Sequence, residues 1–411
     1  MESVTITRPE GPVRATIALP RSKSISNRAL IMASLCGDLG LVSQLSDGDD
    51  TRSMYDLLRT NPRVMDCGAG GTTFRFMLAW ASVREGEEHV LTGSTRLLER
   101  PHDDLVNALR ALGADIERVP PFGSSSGGYR VHGRALKGGE VHFDSPISSQ
   151  YLSALLLIAP RMTEGLTLRW TGTRLSEPFV HMTMKMLSHC GVFPRLELDG
   201  VRVDPGPYIP AAIVVPPDWS SAAFWYQIVA LSPHAEVLLE GLTDDTMQGD
   251  REAQHLWSPW VRTTFNEKGT LLSNGGNGTA WEDVPRNLKQ VPDLFQPLAF
   301  TLAALGQPAV LTGLDNLRVK ETDRLHAVAH AIKQLGGVAA FADGAFAVQQ
   351  AITQRSPATF DPDIDHRMAL ALAPLALVLG SITITDPSVV NKSYPTFWED
   401  LRQAGFAIAL S

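Results

Sequence analysis

The chain has 411 residues, 44% of them apolar and 19% charged, and its 36 Lys and Arg against 44 Asp and Glu leave a net charge of −8. That composition excludes a disordered, collagen-like or disulfide-stapled chain, and the acidic balance argues against nucleic-acid or membrane-surface partners. Three scattered cysteines, Cys36, Cys67 and Cys190, read as reduced thiols, and the opening MESVTITRPEG has no apolar signal-peptide core, so a cytoplasmic protein is expected.

A helix rich in Ala and Leu, a short strand, a polar turn and a second, amphipathic helix recur six times along the chain. The first helices begin near Ser26, Thr73, Tyr151, Ser221, Pro297 and His366, at intervals of 47, 78, 70, 76 and 69 residues. Four second helices run into glycine and then alternating apolar residues, at Leu112-Gly113, Cys190-Gly191, Leu335-Gly336 and Ala404-Gly405. Glycine just past a helix end followed by period-two alternation predicts a helix-to-strand junction. Two uncharged stretches, Leu294–Leu314 and Met368–Thr385, reach the length of a membrane span. Pro297 and Pro308 interrupt the first, Pro374 and Gly380 the second, so each reads as a buried helix followed by a strand. The class is therefore α/β (α+β), with three repeats in each of two domains. The chain is expected to cross between domains near Leu19-Pro20 and through the Pro-rich Val214–Pro217.

The first helix of each repeat is nearly uncharged except at its start. There stand Lys23, Ser24 and Arg28; Gly71, Thr72 and Arg75; Ser148, Ser149 and Gln150; Asp218 and Ser220; Asp293 and Gln296; Asp365, His366 and Arg367. Ser, Thr and Asp at such places are ordinary N-caps. Lys23, Arg28, Arg75 and Arg367 are not, because cations oppose the positive end of the helix dipole. An anionic ligand shared by the cations and the free N–H groups explains both.

Leu19-Pro-Arg-Ser-Lys-Ser-Ile-Ser-Asn-Arg28 packs hydroxyls and cations into a helix entry and reads as a phosphate or carboxylate cradle, though not a Walker A loop. Three glycines precede Thr72, and glycine lets backbone N–H groups approach a ligand. Arg318-Val-Lys-Glu-Thr-Asp-Arg324 lies at the same repeat position as Thr171–Pro178 and Glu99-Arg-Pro101, which suggests a cleft assembled from repeat ends. His326 and His330, Asp47–Asp50 and Asp361–Asp365 lack the spacing of a metal site and read as surface, turn and cap residues. No metal and no cofactor is expected.

These residues carry a resemblance. Leu19–Leu30, Glu99–Leu105, Ser145–Leu152, Asn316–Leu325, Asp365–Leu370 and the shorter Asn391–Pro395 resemble, in order, the motifs of the 5-enolpyruvylshikimate-3-phosphate synthase family of enolpyruvyl transferases. The resemblance implies two domains, each of three βαβαββ repeats with buried helices whose N-termini face the inter-domain cleft. It divides the chain into residues 21–215 as the N-terminal lobe, and 1–20 with 216–411 as the C-terminal lobe. It implies transfer of the enolpyruvyl group of phosphoenolpyruvate to the 5-hydroxyl of shikimate 3-phosphate, with release of phosphate.

Matched to the family motifs, Lys23, Ser24, Arg28, Ser148, Ser149, Gln150, Ser176, Asp293, Asn316 and Lys320 would hold shikimate 3-phosphate, with Phe179 against its ring. Lys23, Gly71, Arg100, Gln150, Arg324, Arg367 and Lys392 would hold phosphoenolpyruvate. Asp293 is the expected base at the hydroxyl; Glu321, assisted by Lys23, would move the proton at the methylene carbon. The partners expected are these two small molecules, with no nucleic acid or membrane, and the chain is expected to act as a monomer. Two departures from neighbouring patterns matter. The family usually carries Asn-Ala where this chain has Ala69-Gly70. The sister transferase acting on UDP-N-acetylglucosamine typically has Lys-Asn and a loop cysteine, where this chain has Lys23-Ser24 and the cysteine-free Ser94–Arg100. A non-catalytic binder of phosphorylated metabolites is the third reading. It has no use for Asp293 and Glu321 among the cations.

Overall fold

The computed structural model describes residues 2–123, 125–173, 175–275, 281 and 284–411; Arg174 of the Thr171–Pro178 turn lies outside them. The chain forms two compact units, one of Met1–Arg21 with Pro216–Ser411 and one of Ser22–Val215. Arg21 belongs to the discontinuous unit rather than to the insert, because its backbone bridges Pro217.

All six uncharged helices are present: Lys23–Cys36, Gly71–Ser82, Ser149–Ile158, Trp219–Leu231, Phe295–Leu305 and His366–Leu372. Each is buried along almost its whole length, as a helix apolar on every side must be. Several start up to three residues ahead of the sequence expectation, since the polar residues at their entries already take helical dihedrals.

Among the described residues five four-stranded sheets share one topology. In one, Val64–Asp66 runs parallel to Glu88–Thr92, which pairs antiparallel with Gly128–His132, and Asp115–Val119 closes the edge. A buried helix connects the parallel pair, and a more amphipathic helix leads into the terminal hairpin. The same order recurs from Gly139–Asp144, Val13–Ile17 and Arg286–Asn287. The last sheet is completed from the other end of the chain: Ser3–Thr7 lies between Ser381–Thr385 and Ala407–Leu410. The sixth copy departs from the full βαβαββ pattern. It is reduced to a parallel pair, Val42–Ser43 with Ile213–Val214, and has no hairpin of its own. This is why the first two buried helices are only 47 residues apart.

The junction glycines adopt the left-handed conformation that suits glycine, with φ of 103° at Gly113, 76° at Gly191, 75° at Gly336 and 94° at Gly405. After Gly191 the strand is delayed to Arg195. Pro194 has no N–H for a ladder bond and cannot sit inside it. The two stretches of membrane-span length form the helix Phe295–Leu305 with the strand Ala309–Thr312, and the helices His366–Leu372 and Ala376–Leu379 with the strand Ser381–Thr385. Among the described residues no helix is long and apolar enough to cross a membrane.

The strand Ser3–Thr7 presents Val4 and Ile6, both fully buried, to the core of its unit, while Thr5 pairs on the opposite face with Thr383 at 2.9 Å. Ile6→Ala should therefore cost about 2–5 kcal/mol in urea unfolding. Thr5→Ala should cost well under half of that.

Candidate active site

In the unit Ser22–Val215, two buried arginines have no ion pair among the described residues. Arg28 is 2% exposed. Its guanidinium donates to Thr183 Oγ1 at 2.7 Å, the Ser24 carbonyl at 2.8 Å, Ser153 Oγ at 2.9 Å and the Phe179 carbonyl at 3.2 Å. These acceptors are neutral and use four of five donors. Burial pulls its pKa down to about 9. The rings of Phe76 and Phe179 lie 5.4 and 5.8 Å from the guanidinium carbon. Arg100 is 8% exposed, and its Nε has no hydrogen-bond partner. Its guanidinium lies against the backbone of Gly71, where a Cβ would stand 2.6 Å from Nη1. The guanidinium therefore packs directly on the Gly71 backbone, and a side chain there would displace it.

Lys23, in the first turn of its helix, is 3.1 Å from Asp50 Oδ2. Asp50 opens the neighbouring helix Asp49–Thr60 and accepts Thr73 Oγ1 at its own carbonyl, 2.8 Å away. A Cβ on residue 70 would meet Thr73 Oγ1 at 2.9 Å and Asp50 Oδ1 at 3.1 Å. The departure from the family pattern at Gly70 thus has a local cause: the Lys23–Asp50–Thr73 cluster fills the space of a side chain. Gln150 is fixed from two sides, by Arg75 Nη1 at 2.6 Å on its oxygen and by Thr72 Oγ1 at 2.9 Å on its nitrogen. Ser148 caps the helix that carries Ser149 and Gln150. Ser176 is buried and holds φ at 56°, an unusual conformation for a non-glycine residue and one that clusters at functional positions.

The other unit gathers three cations and three carboxylates. Arg324, 2% exposed, takes Asp365 in a bidentate grip at 2.7 and 3.3 Å. It also reaches Asp293 at 3.2 Å and Glu321 at 3.0 Å. Arg367 Nη2 donates to Asp293 Oδ2 at 3.0 Å, and Lys392 Nζ to Glu321 Oε1 at 2.8 Å. Burial alone would lower the pKa of Arg324, but Asp365, Glu321 and Asp293 outweigh it and the net shift is upward. Asp365 also caps the helix of Arg367, accepting from that residue's amide at 2.9 Å. Ahead of it, Asp363 and Ile364 both have positive φ, 52° and 55°. For a β-branched residue that is strained backbone, held beside the cluster. Asn316 is buried with its Oδ1 unpartnered, and Lys320 follows it half-buried.

The structure therefore groups Lys23, Ser24, Arg28, Gly71, Arg100, Ser148, Ser149, Gln150 and Ser176 in one unit. It groups Asp293, Asn316, Lys320, Glu321, Arg324, Arg367 and Lys392 in the other. Sequence reading missed Asp50 and Asp365 as partners of the cations. Their signal was available: an acidic residue at the entry of one helix, next to a cation at the entry of another. The three cysteines are free, and burial first of all pushes their pKa values up, that of Cys190 to about 11. None is poised as a thiolate. Among the described residues no group of three His, Cys, Asp or Glu side chains could hold a metal ion.

A family model described as EPSP synthase (3-phosphoshikimate 1-carboxyvinyltransferase) matches residues 7–61 and 60–401. The chain belongs to this family. It is accordingly an enolpyruvyl transferase of the shikimate pathway. A 3-phosphoshikimate 1-carboxyvinyltransferase from Bacteroides fragilis is 41% identical over 405 residues, covering 96% of each chain. One from Syntrophobacter fumaroxidans is 31% identical, over 96% of this chain and 98% of its own. A solved EPSP synthase from Acinetobacter baumannii superposes over 100% of both chains with a TM-score of 0.77 and 22% identity, a likeness of fold.

Gly71→Ala should push the Arg100 guanidinium off the loop backbone. Misplacement of about 1 Å can cost ~10²-fold in such a site. The Michaelis constant for phosphoenolpyruvate should rise roughly tenfold or more, with a smaller change in kcat; steady-state kinetics in both substrates checks this.

Proposed function

We propose that the chain transfers the enolpyruvyl group of phosphoenolpyruvate to the 5-hydroxyl of shikimate 3-phosphate through a tetrahedral adduct, with Asp293 and Glu321 as its acid–base groups. The observation that supports this assignment of roles is that both carboxylates are held by cations of the kind a substrate bearing a phosphate and a carboxylate requires. Arg324 and Arg367 bind Asp293, and Lys392 binds Glu321. A carboxylate between two guanidinium groups is a poor base. Phosphoenolpyruvate offers a phosphate and a carboxylate in place of those internal partners, and planar guanidinium groups suit both. Its binding at Arg324, Arg367, Lys392 and Arg100 releases Asp293 to accept a proton.

The steps then balance. The 5-hydroxyl gives its proton to Asp293 as its oxygen attacks the enol carbon, and Glu321 protonates the methylene carbon. In the second half Glu321 removes a proton from the new methyl group, the double bond re-forms, and phosphate leaves with the proton from Asp293. Lys23 assists, shared by both substrates. Arg28, Ser148, Ser149, Gln150, Ser176, Asn316 and Lys320 hold shikimate 3-phosphate. The buried, neutral-bonded guanidinium of Arg28 and the unpartnered Asn316 Oδ1 support this placement. The enzyme acts as a cytoplasmic monomer without a cofactor.

Purified protein should release phosphate only when both substrates are supplied, at a rate a chelator leaves unchanged. Turnover with UDP-N-acetylglucosamine instead would transfer the assignment to the sister enzyme. Binding of both substrates without phosphate release would favour a non-catalytic binder. Asp293→Asn and Glu321→Gln should each lower kcat by ~10²-fold or more while leaving the affinity for shikimate 3-phosphate little changed. A near-normal kcat in either variant would remove that residue from the mechanism.

A further inference from the structure

Beneath the helix entries of the unit Ser22–Val215 lies a polar layer of which the sequence marks only Arg28. Arg28, Ser153 and Thr183 belong to three different helices, Lys23–Cys36, Ser149–Ile158 and Glu177–His189. Each stands four residues after a residue matched to shikimate 3-phosphate: Ser24, Ser149 and Phe179 respectively. Four residues are one helical turn, about 6 Å along the axis. Ser153 and Thr183 are both 0% exposed. Ala and Val would fill such positions without polar atoms, so the two buried hydroxyls need a reason.

The reason is the guanidinium between them. Arg28 Nε donates to Thr183 Oγ1 at 2.7 Å, and Nη2 donates to Ser153 Oγ at 2.9 Å and to the Phe179 carbonyl at 3.2 Å. The acceptors also bond to one another: Thr183 Oγ1 lies 3.0 Å from Ser153 Oγ and 2.9 Å from the Phe179 carbonyl. Nη1 donates to the Ser24 carbonyl at 2.8 Å. With an acceptor at each of its three nitrogens, the planar fork can neither tilt nor rotate without losing a bond. Phe179 is tied into the same layer through its carbonyl, and its ring lies 5.8 Å from the guanidinium carbon. A carboxylate in place of either hydroxyl would grip the fork more strongly but would cancel its charge. Hydroxyls hold it and leave it positive. The fifth N–H, the second on Nη1, has no partner among the described residues, and Nη1 is the nitrogen that reaches the first turn of its helix at Ser24.

We propose that Ser153 and Thr183 are positioning residues for shikimate 3-phosphate: their hydroxyls lock the Arg28 guanidinium one helical turn below Ser24, Ser149 and Phe179, with its charge and its fifth N–H left for the substrate. The proposal rests on Arg28 binding shikimate 3-phosphate. No proton moves and no bond changes in this role. The two hydroxyls act only on where the guanidinium stands, so their loss falls on the affinity for shikimate 3-phosphate.

The test is calorimetric titration of shikimate 3-phosphate, without phosphoenolpyruvate, into wild type, Thr183→Val, Thr183→Ser, Ser153→Ala, Arg28→Met and the Thr183→Val/Arg28→Met double variant, with thermal melting of each. Thr183→Val keeps the shape and removes the acceptor of Nε, and should weaken binding about tenfold, the scale of one buried hydrogen bond to a charged group. Thr183→Ser keeps the hydroxyl and loses a buried methyl group; it should melt earlier than wild type yet bind within about threefold of it. Adding Thr183→Val to Arg28→Met should cost less than about twofold more, because the group being positioned is gone. In turnover, Thr183→Val should raise KM for shikimate 3-phosphate far more than it changes kcat or KM for phosphoenolpyruvate. Equal weakening in Thr183→Val and Thr183→Ser would assign the effect to packing and overturn the proposal. Normal binding in Thr183→Val beside impaired binding in Arg28→Met would overturn it while leaving Arg28 in the site. Normal binding in Arg28→Met would remove Arg28 from the site and this proposal with it, and a wild type that does not bind shikimate 3-phosphate would remove the functional reading itself. If Thr183→Val does not fold, Ser153→Ala decides: weakened binding supports the proposal and unchanged binding overturns it.

Discussion

A guanidinium group taken out of water must be given hydrogen-bond acceptors or counter-charges, and the architecture of both units follows from how that demand is met. Arg324 is met by charge: Asp365, Asp293 and Glu321 surround it. Arg28 is met by dipoles: two hydroxyls and two carbonyls hold it. Burying a charge costs several kcal/mol even with partners, so neither arrangement is what a chain optimised for stability alone would keep. Both make sense for a protein whose ligands are strongly anionic. The uncharged shell of Arg28 leaves its positive charge unspent.

The fold places these groups through one device used repeatedly. An all-round apolar helix can only be buried, and its polar first turn then becomes the part of it that reaches a ligand. Capping and side-chain pairing are combined at these entries. Asp365 caps the helix of Arg367 and grips Arg324; Ser148 caps the helix of Gln150; Asp218 and Ser220 both serve the helix Trp219–Leu231. Backbone strain lies beside one of these entries, at Asp363-Ile364, and at Ser176, the N-cap of the helix Glu177–His189.

Asp293 is held by Arg324 and Arg367, and Glu321 by Arg324 and Lys392. Asp250 differs from both. It is a buried carboxyl group whose Oδ1 has no hydrogen-bond partner among the described residues.

Much of this was legible in the sequence. Nearly uncharged runs rich in Ala and Leu marked the six buried helices, and glycines after four of the second helices marked where strands follow, directly or, after Gly191, with a delay. The cations at helix entries, being wrong for the dipole, announced an anionic ligand. What the sequence could not decide depended on groups distant along the chain. The reduced sixth copy, closed by Ile213–Val214, and the last sheet, completed by Ser3–Thr7, arise from strand pairing between remote segments, which no local pattern encodes. Asp50 and Asp365 looked like turn and cap residues because their partners, Lys23 and Arg324, lie 27 and 41 residues away. Ala69-Gly70 was visible in the sequence only as a departure from the family pattern; that Thr73 and Asp50 stand where a Cβ on residue 70 would go is seen only in the fold. Asp250 was invisible for the deepest reason. Its character comes from burial and from its neighbours' charges, and those exist only once the chain has folded.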